Sequence, residues 1–186
     1  MDYNNCVLEN GHETDQPSRK NPRLAGYDYR LSGGYFLTIC TYDKQCLFGR
    51  IDNDRMILNR AGIIVRDEWL KSAQIRQEIT LDDYVVMPNH IHGIVFISRH
   101  PNISSRSIAK PSGYAAKSLS SFVVGFKSAA TRRINELKGT KGTKVWQRNY
   151  YEHIIRNEED HSRIKHYIRE NPVKWSSDSL FVDERN

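Results

Sequence analysis

Two histidines separated by one isoleucine lie in an apolar run, rich in β-branched residues, that extends from Asp83 to Ile97. In a β-strand, residues i and i+2 project from the same face, so His90 and His92 point together while Ile91 points to the opposite side. Two imidazoles on one face form a pair of metal ligands that needs a third. Histidine pairs with this spacing also occur as ordinary polar contacts on half-exposed strands, so the pair alone leaves both interpretations open.

A segment near the C-terminus supplies candidate partners for the histidines. Acidic residues at 158–160 suit the first turn of a helix, and Pro172 predicts where that helix ends. Tyr167 and Asn171 are four residues apart and therefore share one helix face. An amide oxygen is a suitable ligand for a hard cation such as Mg²⁺ or Mn²⁺, and histidine ligands are also compatible with Mn²⁺. Taken by themselves, the two residues are equally compatible with a packing aromatic and a helix-ending asparagine.

Three segments taken together resemble a known family. The segment Met87 to Val95 resembles the histidine-hydrophobic-histidine motif of HUH nucleases. The segments Trp146 to His153 and Tyr167 to Pro172 resemble the single-tyrosine transposases. From about Tyr29 to Trp175, the chain is most similar to the REP-associated tyrosine transposases, which are relatives of insertion-sequence transposases. The joint occurrence of these segments in this order is far more specific than any one of them.

The resemblance implies a role for each matching residue. His90 and His92 would bind a divalent metal, Mg²⁺ or Mn²⁺, and Tyr167 would be the nucleophile. Asn171 stands where insertion-sequence relatives usually have the glutamine of a Tyr-x-x-x-Gln pattern, so it would be the third ligand, with a reach shorter by one methylene. The implied substrate is single-stranded DNA that carries a hairpin, and the implied assembly is a monomer or a homodimer.

Phosphodiester chemistry explains why these residue types are needed. A phosphodiester is anionic and resists an anionic nucleophile, so a cation on its oxygens must offset the charge and align the phosphate. A tyrosine hydroxyl, with a pKa near 10, needs proton removal or a positive field, for which Lys165, His166 or Arg169 are candidates. Attack by tyrosine gives a covalent phosphotyrosine that stores the broken bond. By resemblance, the tyrosine takes the 5′-phosphate and leaves a free 3′-hydroxyl.

The charge of the chain is compatible with a nucleic-acid substrate. It has 28 Lys and Arg against 22 Asp and Glu, a formal net charge of +6, which favours a polyanionic partner. Basic residues follow the histidine strand at Arg99, Arg106 and Lys110 and recur along the next helix. Basic and aromatic residues together predict a surface for unpaired bases, formed by Lys127, Arg132, Arg133, Trp146, Arg148 and Tyr150. Trp146 is equally compatible with a place in the core.

The elements that must position these residues follow from periodicity and turn signals. The predicted strands are 34–42, 55–58, 81–88 and 90–98 with a short strand near Trp146, and the predicted helices are 61–77, 119–137 and the C-terminal one. Pro88 requires an edge, a bulge or a turn just before the histidines. The β-α-β-β-α-β order predicts an α+β ferredoxin-like sandwich, an antiparallel sheet with helices on one face plus an appended C-terminal helix that bears the tyrosine.

The chain length of 186 residues suits one substantial core. We expect a polar arm at 1–28, an HUH-like catalytic domain at 29–175 and a tail at 176–186. No apolar stretch approaches the roughly 20 residues of a membrane span, so no membrane association is expected. The three cysteines Cys6, Cys40 and Cys46 form no C-x-x-C pair, which favours a reducing compartment and a cytoplasmic location.

Two other functions remain compatible with these observations. The first is a hairpin-DNA-binding module that keeps the fold but does not cleave. The second is a metal-dependent hydrolase in which water replaces the tyrosine. The segment Gly139 to Lys144 lacks the spacing of a phosphate-binding loop, so a nucleotide hydrolase of that type is excluded.

Overall fold

The computed structural model describes residues 32–98 and 118–182. The expected N-terminal arm, the basic residues Arg99, Arg106 and Lys110, and residues 183–186 lie outside the described residues. The strands and long helices are β1 (Gly33–Cys40), β2 (Gly49–Asp52), β3 (Arg55–Leu58), α1 (Arg60–Ile75), β4 (Ile79–Met87), β5 (His90–Ile97), α2 (Leu119–Lys138), β6 (Tyr151–Ile155) and α3 (Glu158–Glu170).

Four strands form an antiparallel sheet in the order β4-β5-β1-β6. Helix α1 follows β1 and the short strands β2 and β3, and helix α2 follows β5. This is the predicted ferredoxin-like α+β arrangement, which is therefore confirmed. Strands β2 and β3 pair only with each other and form a separate hairpin, of which β2 was not predicted. The short last strand that was expected near Trp146 begins later, at Tyr151, and Trp146 itself makes only an isolated bridge to Thr41.

Helices cover both faces of the sheet, and the appended helix has one face to itself. Helices α1 and α2 pack on the face that carries Leu37, Ile91 and Val95, and this is the larger core. On the opposite face, Phe36 and Ile94 of the sheet pack against α3 through its buried residues Ile164 and Ile168. Because side chains alternate along β5, Ile91 points to the larger core while the flanking histidines point to the α3 face.

Strand β5 approaches α1 closely at Gly93. A Cβ atom built on Gly93 would lie 2.4 Å from Cζ2 of Trp69, which is fully buried. The Trp69 ring in turn packs edge-on against Phe122 and Phe126 of α2. The residue after His92 must therefore be glycine for the indole to approach the central strand this closely.

A two-residue turn joins β4 to β5. Met87 pairs with His90 in the register of the two strands, so Pro88 and Asn89 form the turn immediately before the first histidine. Strand β4 is also an edge strand, and both features agree with the restriction that Pro88 imposes. The histidines consequently begin on the first residue of a central strand and are held by the whole sheet.

A bulge in β4 connects that strand to α3. The register shifts between Leu81 and Tyr84, and the two carboxylates within the bulge belong to Asp82 and Asp83. These carboxylates accept hydrogen bonds from three side chains of α3. Asp82 accepts from His161 at 2.6 Å and from Lys165 at 3.1 Å, and Asp83 accepts from Arg169 at 2.6 Å. We call this set the bulge clamp, and it fixes α3 along its length.

Helix α3 starts and ends where the sequence predicts. The Asn157 side chain accepts a hydrogen bond from the backbone N–H of Asp160 at 2.8 Å, which caps the helix. Glu158, Glu159 and Asp160 occupy the first turn, where the helix dipole favours negative charge. Within the part of the chain that the structure describes, no helix is both long enough and apolar enough to cross a membrane.

Candidate metal and nucleophile site

The histidine pair lies on the sheet face that α3 covers. The ring centroids of His90 and His92 are 4.4 Å apart, and the residues are 0% and 2% exposed. In the register of the sheet, His90 is paired with Cys40 and His92 with Thr38, both on the neighbouring central strand β1. The alternation of the strand therefore brings the two imidazoles together, as the sequence predicts.

Burial keeps both imidazoles neutral. Desolvation lowers the pKa of His90 to about 3, and the nearby Asn171 side chain opposes this effect. Desolvation also lowers the pKa of His92 well below its ordinary value, and repulsion from His90 adds to the lowering. At neutral pH each ring thus carries one nitrogen lone pair, the form in which histidine binds metals.

Hydrogen bonds at Nδ1 leave the Nε2 atoms facing the site. His90 Nδ1 lies 2.8 Å from Oδ1 of Asn89, and His92 Nδ1 lies 2.8 Å from the Thr38 hydroxyl. Among the described residues, His90 Nε2 is buried without a hydrogen-bond partner. Oδ1 of Asn171 is buried without one as well. An imidazole nitrogen and an amide oxygen that lack partners are suitable ligands for a divalent cation, so the residues fit the metal that the sequence resemblance implies.

An aspartate that no sequence pattern indicated joins the cluster. One ligand atom each from His90, His92 and Asp178 all lie within 4.8 Å of one another. The Asp178 carboxylate accepts hydrogen bonds from the Asn171 amide at 3.0 Å and from the backbone N–H of Leu180 at 2.7 Å. Asp178 belongs to the expected tail at 176–186, and no periodic pattern relates it to the histidines. Its only signal is an acidic residue soon after the proline that ends the helix.

Tyr167 places its hydroxyl at the edge of this cluster. The phenolic oxygen lies 3.3 Å from Nε2 of His92, and the ring packs edge-on against Phe36 with centroids 6.0 Å apart. Burial raises the pKa of Tyr167, and the negative charge of Asp178 raises it further. The phenol is therefore protonated at neutral pH, although the side chain is 38% exposed.

A pocket beside the cluster opens Tyr167 to solvent. It has a volume of about 170 Å³ and is lined by Tyr167, Glu170, Asn171, Lys174, Ser177, Asp178 and Ser179. The nucleophile candidate and two oxygen ligand candidates thus share one opening. The three basic residues suggested as aids to the tyrosine are paired with carboxylates: Lys165 and Arg169 in the bulge clamp, and His166 with Glu170 at 3.0 Å.

Lys127, expected to bind DNA, anchors a loop instead of facing solvent. Its ammonium donates to the backbone carbonyls of Gln147 at 2.9 Å, Asn149 at 3.0 Å and Arg148 at 3.4 Å. Burial lowers the pKa of Lys127 to about 8. Because these three carbonyls use its N–H donors, the Lys127 ammonium stabilises the loop that leads into β6.

The other expected DNA-binding residues divide between core, ion pairs and surface. Trp146 is only 8% exposed and packs near Phe48 and Phe126, so it occupies the core, one of its two predicted places. Arg133 pairs with the buried Glu68 at 2.8 Å, and Arg132 pairs with Glu136 at 3.4 Å on the surface. Arg148 is exposed.

The two adjacent tyrosines at the start of β6 face opposite ways. Tyr150 is half-buried against the larger core, and the Lys127 ammonium lies 5.6 Å from its ring centroid. Tyr151 is exposed and pairs with Thr38, so it shares the face of His92. Its ring meets Phe36 edge-on at 6.4 Å, and Phe36 also contacts Tyr167. The exposed aromatic next to the site is therefore Tyr151 and not Tyr150, the tyrosine that we predicted to contact DNA.

Comparison with known proteins identifies a sequence relative and solved structures that resemble this chain. No family model matches the chain. An uncharacterized protein of Haemophilus influenzae is 39% identical over 171 residues, which cover 89% of this chain and 94% of that protein. The chain belongs to the same family as this protein.

The fold is shared with a solved transposase. A REP-associated tyrosine transposase bound to a REP hairpin superposes with a TM-score of 0.54 at 23% identity, over 81% of this chain and 74% of that one. A putative transposase from Deinococcus radiodurans gives a TM-score of 0.43 at 18% identity, over 79% and 95% of the two chains. The chain thus has the fold of REP-associated tyrosine transposases, as the sequence resemblance implies.

Proposed function

We propose that this chain is a metal-dependent, transposase-like enzyme that cleaves and rejoins single-stranded DNA carrying a hairpin, through a covalent 5′-phosphotyrosine on Tyr167. The observation that carries the proposal is the placement of the Tyr167 hydroxyl 3.3 Å from Nε2 of His92, within a cluster of neutral imidazoles and oxygen ligands. The hairpin substrate is supported by the shared fold with a transposase solved on a REP hairpin.

Four side chains would hold the metal. They are His90 and His92 through Nε2, Asn171 through its partnerless Oδ1, and Asp178 through its carboxylate. A set of two nitrogens and two oxygens suits Mn²⁺ and Mg²⁺. When bound there, the cation would neutralise charge on the scissile phosphate and favour the phenolate form of a nearby tyrosine.

Tyr167 would act as the nucleophile. Its oxygen forms a bond to the phosphorus while the bond from phosphorus to the 3′-oxygen breaks. The proton lost from the phenol is balanced by the proton that the leaving 3′-oxygen takes up. The reverse attack by a 3′-hydroxyl rejoins a strand and releases the tyrosine, so joining needs no external energy source.

Two exposed side chains, those of Tyr151 and Arg148, are suited to binding an unpaired DNA strand. Tyr151 offers an exposed aromatic ring on the site face of the sheet, and bases stack on such rings without sequence preference. Arg148, exposed in the loop before it, adds a positive charge for the DNA backbone. This pair replaces Trp146 and Lys127 as the first candidates for DNA contact.

Covalent capture on labelled single-stranded hairpin DNA tests the nucleophile. With Mn²⁺ present, the wild-type chain should form an adduct that survives denaturation, and peptide mapping should place the DNA on Tyr167. Tyr167→Phe removes one oxygen and should eliminate the adduct while hairpin binding remains. Tyr150→Phe and Tyr151→Phe are matched controls that should still form it. Bound but intact DNA would instead indicate a binding module, and cleavage without an adduct would indicate a hydrolase.

Graded loss of metal dependence tests the ligand set. His90→Ala and His92→Ala should each abolish Mn²⁺-dependent cleavage, because each removes one nitrogen ligand from the strand. Asn171→Ala and Asp178→Ala should retain some cleavage at a raised metal requirement, because water can replace one oxygen ligand in a flexible shell. Titration of cleavage against metal concentration measures the shift. An Asn171→Ala enzyme with the wild-type metal requirement would remove Asn171 from the set.

A further inference from the structure

The turn before β5 contains a buried side chain that contacts His90 and has no other assigned role. Asn89 is 1% exposed, and its Oδ1 lies 2.8 Å from Nδ1 of His90. Its amide nitrogen donates to the backbone carbonyls of Lys44 at 3.1 Å and Leu180 at 2.8 Å. All three polar contacts of this amide are therefore made inside the protein.

These contacts determine which way the amide points. If the side chain were flipped, its oxygen would face two carbonyl oxygens and its NH₂ group would face His90. That orientation replaces two hydrogen bonds by two repulsive contacts between acceptors. The two carbonyls thus require the amide nitrogen on their side and leave the amide oxygen facing the histidine.

An amide oxygen only accepts hydrogen bonds, so the facing nitrogen of His90 must carry the proton. A neutral imidazole has one N–H, and placing it on Nδ1 leaves the lone pair on Nε2. His90 Nε2 is the buried atom that has no hydrogen-bond partner among the described residues. Oδ1 of Asn171, a side chain that lies near His90, also has no hydrogen-bond partner in the described part of the chain.

We propose that Asn89 is a positioning residue that fixes His90 in the Nδ1–H tautomer and so directs the Nε2 lone pair into the ligand cluster. The proposal deepens the proposed function, since it rests on His90 being a metal ligand. A ligand histidine held in this way needs no tautomer change when a cation binds, and it is more basic at the binding nitrogen.

The equivalent contact at His92 does not fix a tautomer in this way. The Thr38 hydroxyl, 2.8 Å from His92 Nδ1, can either donate or accept. Thr38 therefore places the ring without choosing its protonated nitrogen. His92 also has a hydrogen bond with the backbone of Leu37, so different groups hold the two rings. Of the side chains Asn89 and Thr38, only Asn89 can act solely as an acceptor toward its histidine.

Nitrogen NMR of the chelator-treated, full-length protein tests the tautomer without requiring activity. Long-range ¹H–¹⁵N spectra distinguish the protonated from the bare ring nitrogen, and wild-type His90 should have its proton on Nδ1. Asn89→Ala removes the acceptor at this position and should shift His90 to a mixture of tautomers. Asn135→Ala, which removes a buried amide of α2 that donates to the Thr143 carbonyl at 3.1 Å, is the control and should leave His90 unchanged.

Calorimetric titration with Mn²⁺ alone links the tautomer to binding. Asn89→Ala should weaken Mn²⁺ affinity by about 10–100-fold, the usual effect of losing a hydrogen-bond partner of a ligand histidine. A wild-type His90 protonated on Nε2, or an unchanged Nδ1–H signature in Asn89→Ala, would overturn the inference. A wild-type protein with the expected tautomer but no Mn²⁺ binding would contradict the proposed metal dependence and leave the role of Asn89 in the tautomer established.

Discussion

At the scale of single residues, the site keeps two buried polar atoms without partners. Each unsatisfied buried group typically costs about 1–3 kcal/mol, so His90 Nε2 and Asn171 Oδ1 reduce the stability of the metal-free fold. A cation that satisfies both atoms binds only the folded chain and therefore stabilises it by mass action. The same two atoms are what a ligand would recognise.

The close contact between Gly93 of the histidine strand and Trp69 of α1 can be tested by substitution. Gly93→Ala would place a methyl group 2.4 Å from the fully buried Trp69 and should destabilise the protein by about 1–3 kcal/mol in urea unfolding. Gly125→Ala is the control, because a methyl group added there, on the exposed side of α2, would meet no atom within 4 Å. It should stabilise by up to about 1 kcal/mol, since alanine favours a helix interior. Equal effects of the two substitutions would show that the Trp69 contact does not decide the cost.

Residues that are brought together by strand or helix spacing could be predicted from the sequence, whereas contacts made by tertiary packing could not. The pairing of His90 with His92 follows from strand alternation, and that of Tyr167 with Asn171 follows from helix spacing, both of which are local. Lys127 has no such local signal. A lysine on an amphipathic helix is expected to face solvent, but the loop at 147–149 folds over it and supplies three carbonyls. This contact depends on tertiary packing alone.

At the scale of elements, the bulge clamp is one of the contacts that attach α3 to the sheet. The helix carries the nucleophile candidate, and its fully buried apolar residues are Ile164 and Ile168. Asp82 and Asp83 of β4 add charged hydrogen bonds to three side chains of the helix. Such bonds contribute more than neutral ones when they are partly buried.

Asp82→Asn tests the clamp. Burial acts to raise the pKa of Asp82, but hydrogen bonds from His161 and Lys165 outweigh it and hold the pKa below its ordinary value of 3.8. A lowered folded-state pKa means that the carboxylate stabilises the fold above that range and loses its effect as pH falls through the folded pKa. At pH 7 the substitution should cost about 1–2 kcal/mol in urea unfolding.

The control for this substitution is Asp54→Asn, in the exposed turn between β2 and β3. Asp54 has a φ of 59°, a conformation that asparagine also adopts readily, so the change should stay within about 0.5 kcal/mol. The difference between wild type and Asp82→Asn should shrink as the pH falls below 3.8, the ordinary pKa of the carboxyl group. A difference that is constant with pH would show that the Asp82 charge does not contribute to the attachment of α3.

Element prediction from sequence succeeds where periodicity is strong and misses elements that depend on a partner. Helix α2 and strand β5 have long apolar patterns and lie within a residue or so of their predicted bounds. Strand β2 consists of four residues that pair only with β3, and its sequence has too few alternations to predict it. Trp146 has a strand-like neighbourhood, but it packs in the core without a continuing partner strand.

At the scale of the whole molecule, the buried histidines make folding depend on pH. Burial lowers the pKa of both rings, to about 3 for His90, whereas histidine in an unfolded chain titrates near 6.5. The unfolded chain therefore takes up protons first as the pH falls. The free energy of unfolding should decrease below about pH 6.5 and continue to decrease toward the folded-state pKa values.

Urea unfolding in the presence of a chelator, between pH 7.5 and pH 5, measures this dependence. Each histidine should contribute a slope of up to about 1.4 kcal/mol per pH unit. His90→Gln and His92→Gln each remove one titrating ring and should reduce the slope by about one such contribution, whatever they do to stability at pH 7.5. A wild-type slope in both variants would mean that the pair is not buried in its neutral form.

The order of the elements along the chain also has a consequence for biosynthesis. A ribosome makes all four strands of the central sheet, and both histidines with them, before it makes Tyr167, Asn171 and Asp178. Under the proposed function, a nascent chain carries the histidine pair while it still lacks the group that attacks DNA. The nucleophile reaches the histidines only after α3 has been released to pack on the finished sheet, so an interrupted translation product has no means to nick DNA.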